Sequence, residues 1–123
     1  MKIIKQPGRV NGDVYSSNRL TNGCVYVVVG ISIGVDRHGK NTVSFDVRDD
    51  DGFLSSINLD DCLIVDGRPF SEWILGNGNE KAFVCWPADF FNPDWMERLL
   101  DFDSGAVKMF NDIADRAIAE SNV

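Results

Sequence analysis

The side chains able to do chemistry in this sequence are mostly carboxylates, and the densest run is Asp49-Asp50-Asp51-Gly52. Three adjacent acids suggest a divalent cation. In an EF-hand loop glycine takes the sixth position, which would place Val47 first and Asn58 twelfth; both positions need acidic oxygen donors, so the pattern fails. Adjacent aspartates in a hairpin turn diverge into solvent, and no metal is expected there. Asp60-Asp61, Asp89 with Asp94, and Asp101 with Asp103 are the pairs available for acid–base work. Glycoside chemistry needs two carboxyls roughly 5–10 Å apart across a cleft, and neighbourhood along the chain does not supply that. The one histidine, His38, sits in the polar turn Asp36-Arg37-His38-Gly39-Lys40 and is expected to be exposed. Cys24, Cys62 and Cys85 are odd in number, far apart and set in apolar stretches, so they read as buried free thiols rather than a disulfide framework or zinc site. Phosphate-loop, dinucleotide and zinc-protease signatures are missing. The expectation is a protein without cofactor and without catalytic residues.

The acids can instead serve recognition. The 123 residues carry 12 basic and 19 acidic side chains, a net charge of −7. The basic ones are concentrated early: residues 1–40 hold six of them against two acids, leaving six against seventeen beyond residue 40. A chain so acidic is a poor direct binder of nucleic acid or anionic membrane. It can attract a basic protein, presenting carboxylates where phosphates would lie and speeding association. The apolar residue content of 44% and charged content of 25% are those of a globular domain. No apolar run of about 18 residues exists, so no membrane span is expected. The two-residue apolar stretch Ile3-Ile4 is too short for a signal-peptide core, and a cytoplasmic setting is expected.

The elements that must position these groups follow from periodicity. A short strand is expected near residues 2–4 within an irregular arm over residues 1–19, rich in turn pairs such as Pro7-Gly8 and Asn11-Gly12. Residues 24–35 are β-branched and long enough for a bent strand, with Gly30 and Gly34 at bulges or close approaches. Residues 42–48 alternate polar and apolar, the period of a half-buried strand. The 49–52 turn leads to a third strand at 53–58, one helical turn at 59–61 and a short strand at 62–65. Several short strands joined by tight turns over residues 20–66 suggest a small antiparallel barrel.

The run Leu20-Thr21-Asn22-Gly23-Cys24-Val25-Tyr26, the Asp49-Asp50-Asp51-Gly52 turn and the closing segment from Leu59 to Val65 resemble small phage-encoded SH3-like β-barrel proteins. The resemblance covers about 47 residues, is carried by turn and core chemistry, and implies a fold and a phage origin but no activity.

Residues 67–91 form a connector with one strand, at 81–86, and the stretch 70–95 holds seven of the thirteen aromatic residues. Most of these rings are expected to seat helices on the barrel. Phe90 and Phe91, being adjacent, cannot readily share one buried face. Residues 92–121 are read as two helices, the first capped by Asn92 with Pro93 at its first position, the second by Ser104. Asp112 and Arg116 are spaced to pair.

The fold expected is thus one α+β domain, an SH3-like barrel followed by an aromatic connector and two C-terminal helices. The function expected is an accessory protein that binds and modulates, most simply by inhibition, a protein partner such as a nucleic-acid enzyme of a host. Its contact residues would be Asp49, Asp50, Asp51, Asp60, Asp61, Asp89, Phe90, Phe91, Asp94 and Trp95. The alternatives are a self-associating assembly protein and a small-ligand binder or small enzyme.

Overall fold

The computed structural model of the chain describes residues 1–7, 19–35, 37–78 and 83–122. The described elements are β1 (Lys2–Lys5), β2 (Val25–Val35), β3 (Asn41–Arg48), β4 (Leu54–Asn58), β5 (Cys62–Asp66), β6 (Ile74–Asn77), β7 (Phe83–Trp86), α1 (Trp95–Leu100) and α2 (Ser104–Ser121). Short 3-10 turns at Leu59–Asp61 and Ala88–Phe91 precede β5 and α1. The α+β class and the two C-terminal helices are as expected.

All the strands pair antiparallel, in the order β4-β3-β2-β1-β5, with the β6–β7 hairpin attached to β2 through β7. β2 organises the sheet. Its first part, Val25–Val27, pairs with β1, and Ile31–Ile33 pairs with β7, while β3 runs along its other side. The switch is made by a bulge between Val28 and Gly30, opposite Val47 and Asp46. A bulge bends a strand and takes a carbonyl out of the ladder; here Trp73 Nε1 donates to Val29 O at 2.9 Å. Among the described residues β4 and β5 share no ladder, so the sheet is open and the expected closed barrel is not observed.

The register sorts side chains onto two faces. Ile3, Tyr26, Val28, Phe45, Val47, Ile57 and Cys62 form a core on the concave face, together with Leu20. On the other face Val29 packs with Phe70, Phe90, Trp95, Leu99, Phe110 and Ile113 beneath the helices. α2 supplies half of the buried residues of that second layer because Ala106, Phe110, Ile113, Ala114 and Ala117 recur at helical spacing.

Several expectations are corrected. The short strand expected near residues 2–4 is present as β1, but it lies inside the sheet between β2 and β5 and not within an irregular arm. The rest of the arm that carries the turn pairs, residues 8–18, lies outside the described residues, as does the start of the strand expected at 81–86. The connector holds two strands, because Ile74–Asn77 pairs with β7. α1 begins at Trp95, and Asn92 Oδ1 accepts from Asp94 N at 3.1 Å instead of capping a helix at Pro93. Asp103, not Ser104, caps α2, accepting from Ala106 N at 3.0 Å. Arg116 pairs with Glu72 at 2.8 Å, and Asp112 pairs with Lys108 at 2.7 Å. Of the cysteines only Cys62 is buried; Cys24 is exposed and Cys85 is half-buried.

Candidate functional site

The 49–52 turn is an internal latch. Asp49 is buried; its Oδ1 accepts from Asp51 N at 2.9 Å and Phe53 N at 3.0 Å, and its Oδ2 accepts from Ser55 Oγ at 2.5 Å. Asp50 ties the turn to the segment before β2, accepting from Thr21 Oγ1 at 2.6 Å and from Tyr26 Oη at 2.8 Å. These two bonds favour its ionised form and hold its carboxyl below the usual range. Asp51 is exposed and lies 3.8 Å from Arg19. The turn therefore spends two of its three carboxylates on its own backbone and on β2, and Asp49 is not available to a partner.

The remaining candidates do not gather in one place. Asp60 and Asp61 lie in the 3-10 turn at the far end of β4, beside β3. Asp89 and Asp94 are exposed on the helical side. Phe90 and Trp95 are buried and stacked, centroids 4.1 Å apart, and Phe91 is half-buried against Trp86 at 5.3 Å. The exposed aromatic patch expected at Phe90, Phe91 and Trp95 is thus absent. The adjacent phenylalanines share a buried region because the 3-10 turn sends Phe90 under α1 and Phe91 over Gly76, where a methyl would sit 2.7 Å from Phe91 Cε1.

That aromatic packing lines a small, partly open cavity of about 90 Å³. Its walls include Trp86, Phe90, Phe91, Trp95 and Met96, and β3 contributes Asp46. Asp46 falls on the helix-facing side, between Gly30 of β2 and Ser56 of β4. Ser56 Oγ donates to its Oδ1 at 2.7 Å. Burial pushes the carboxyl up to about 6, with the Ser56 and Trp86 donors partly opposing the rise. The Trp86 indole N–H approaches the carboxylate without reaching good hydrogen-bond geometry, and the Trp95 indole N–H is buried without a partner among the described residues. Alternation in β3 places Asp46 on the face opposite Phe45 and Val47, and its burial comes from what covers that face, Trp86 and the Phe90, Phe91 and Trp95 rings.

The other face carries a second feature missed by the sequence reading. Past the concave core the sheet continues as two apolar rows: Leu75, Cys85 and Ile31 leading to Phe45, and Phe83 and Ile33 leading to Val43. Val35 follows on the same side of β2. Exposure reaches 73% at Leu75, 66% at Val35, 59% at Phe83 and 45% at Ile33. Leu59, Asp60 and Asp61 border the Val43 end, and Arg37 and Lys40 lie in the turn beyond Val35. The signal was the β-branched run of 24–35, whose outer half has no inward-facing partner in the connector.

Among the described residues no group of three or more histidine, cysteine, aspartate or glutamate side chains could hold a metal ion. No described helix is long and apolar enough to cross a membrane. No family model, curated protein or solved structure matches the chain.

Proposed function

We propose that the chain is a non-catalytic protein-binding module that docks its partner on the open end of the concave sheet face. The observation that carries this reading is the pair of apolar rows across β6, β7, β2 and β3, left exposed at Leu75, Phe83, Ile33 and Val35. Contiguous apolar surface of this kind marks interaction sites on soluble domains, and an apolar centre within a polar rim is the ordinary anatomy of an interface. The partner is a basic protein with its own apolar patch. Asp60 and Asp61 at the rim meet its cations, and the −7 net charge steers its approach. Covering a nucleic-acid-binding surface in this way would inhibit its owner, in keeping with the modulator role. The strand order β4-β3-β2-β1-β5, with a 3-10 turn leading into β5, supports an SH3-like reading of the sheet in an opened form.

Leu75→Glu and Phe83→Glu test the proposal. Each places a charge on an already exposed position, so the fold is retained. A partner captured by the wild type and lost with both variants, but kept with Lys108→Glu on the helical surface, supports it. Equal capture by all the proteins overturns it.

A second reading has its own observation. Among the described residues β5 pairs only with β1 and exposes Leu63, Ile64 and Val65 on an edge strand. Such an edge can accept a strand from another copy of the chain. A mass that doubles with concentration in sedimentation, and stays monomeric in an Ile64→Lys variant, would favour assembly over partner binding.

A further inference from the structure

The cavity beneath the Ala88–Phe91 turn is independent of the docking face, since it opens on the opposite side of the sheet. It combines three features that a packing void does not need. A carboxylate lines it, Asp46 being the sole titratable residue among its described walls. Among the described residues that carboxylate has no ion-pair partner; Ser56 Oγ is its one hydrogen-bond donor of good geometry. Among the described residues two buried indole N–H groups, on Trp86 and Trp95, lack a well-formed hydrogen bond, although the Trp86 N–H lies near enough to Asp46 to favour its ionised form. Buried polar groups are ordinarily satisfied, and each exception calls for a reason. The incompletely satisfied set points to an occupant.

The missing groups define it. A cation would complete the carboxylate, and the aromatic walls of Trp86, Phe90, Phe91 and Trp95 suit a cation through their ring faces. An oxygen acceptor would complete an indole N–H. At a volume of about 90 Å³ the cavity has room for several water molecules, each needing roughly 10–15 Å³ of it, and so for a small ligand. We propose that this cavity binds a small primary amine carrying a neighbouring oxygen acceptor, its ammonium on Asp46 and its oxygen on an indole N–H. Two sources present that chemistry: a free amino alcohol and the N-terminal residue of a peptide, whose amine lies next to its own carbonyl.

The test titrates the whole chain with ethanolamine, following indole fluorescence and the indole N–H resonances. Glycinamide stands for the peptide terminus. Ethylamine lacks the oxygen, and ethylene glycol lacks the charge. Saturable binding of ethanolamine or glycinamide is expected, at least tenfold tighter than either control and weakened at least tenfold in Asp46→Asn. Tighter binding of glycinamide assigns the site to a chain terminus, and tighter binding of ethanolamine to a free amino alcohol. Shifts confined to the Trp86 and Trp95 indoles, with Trp73 unmoved, are a second expected result, since Trp73 already donates to Val29 O. No saturation, equal binding of ethylene glycol, or unchanged affinity in Asp46→Asn overturns the proposal and leaves the cavity to water.

Discussion

Asp46→Asn should change how stability depends on pH, and the size of the change follows from the burial of one carboxyl. The folded carboxyl titrates at about 6 against an ordinary value of 3.8, chiefly because burial disfavours its charged form. Between these values the folded state binds more protons than the unfolded state, so this group lowers stability as pH rises. Its contribution is fully present below about pH 4 and lost by about pH 6–7. The rise from 3.8 to about 6 is worth about 3 kcal/mol, at roughly 1.36 kcal/mol for each tenfold change in proton affinity. The amide in Asp46→Asn cannot ionise and still accepts from Ser56 Oγ. Its NH2 adds a constant offset that does not depend on pH. The carboxylates elsewhere titrate alike in both proteins and cancel in the difference. Urea unfolding of both proteins at half-unit steps from pH 3.5 to 8 provides the assay. The variant should gain on the wild type by about 3 kcal/mol across that range, most of it between pH 4 and 6.5. Parallel curves would refute the burial argument and with it the account of the cavity.

Other outcomes follow from single contacts. Asp49→Ala should cost about 2–3 kcal/mol, because a buried carboxylate satisfying two backbone N–H groups and Ser55 is lost; Asp51→Ala should stay within about 0.5 kcal/mol, and chemical melts compare the two. Gly76→Ala should cost about 1–3 kcal/mol by driving a methyl into the Phe91 ring, and a double-mutant cycle with Phe91→Ala should recover most of it. Asp103→Ala should lower stability by about 1 kcal/mol through loss of the α2 cap, read by thermal unfolding. Leu75→Glu should leave the melting temperature within about 2 °C of the wild type, since the side chain is already in water.

What could be read ahead of the structure was set by local chemistry. The alternation of Val43, Phe45 and Val47 placed β3, the Gly52 turn placed the hairpin, and the spacing of Phe110, Ile113 and Ala117 placed the buried stripe of α2. Long-range pairing was not legible. β1 was legible as a short strand near residues 2–4, but its place inside the sheet was not, because that comes from pairing with both β2 and β5. β6 was hidden by Gly76, which weakens strand character and is required under Phe91. Charge misled in a specific way: the three-aspartate turn looked like a recognition surface, yet Asp49 and Asp50 satisfy internal donors. The acid that matters to the cavity, Asp46, was the unremarked polar position of an alternating strand. Its burial depends on Trp86 and on the Ala88–Phe91 turn packed over that face, a long-range contact that no single strand announces.

The account rests most heavily on the open sheet face as the docking surface. A photoreactive phenylalanine analogue introduced at Leu75, and in a separate protein at the exposed Ala119 of α2, measures this directly in lysate of the source cells. The account predicts a discrete adduct from position 75 that excess wild-type chain suppresses and that position 119 does not give. The same adducts from both positions, or none from position 75, would contradict it.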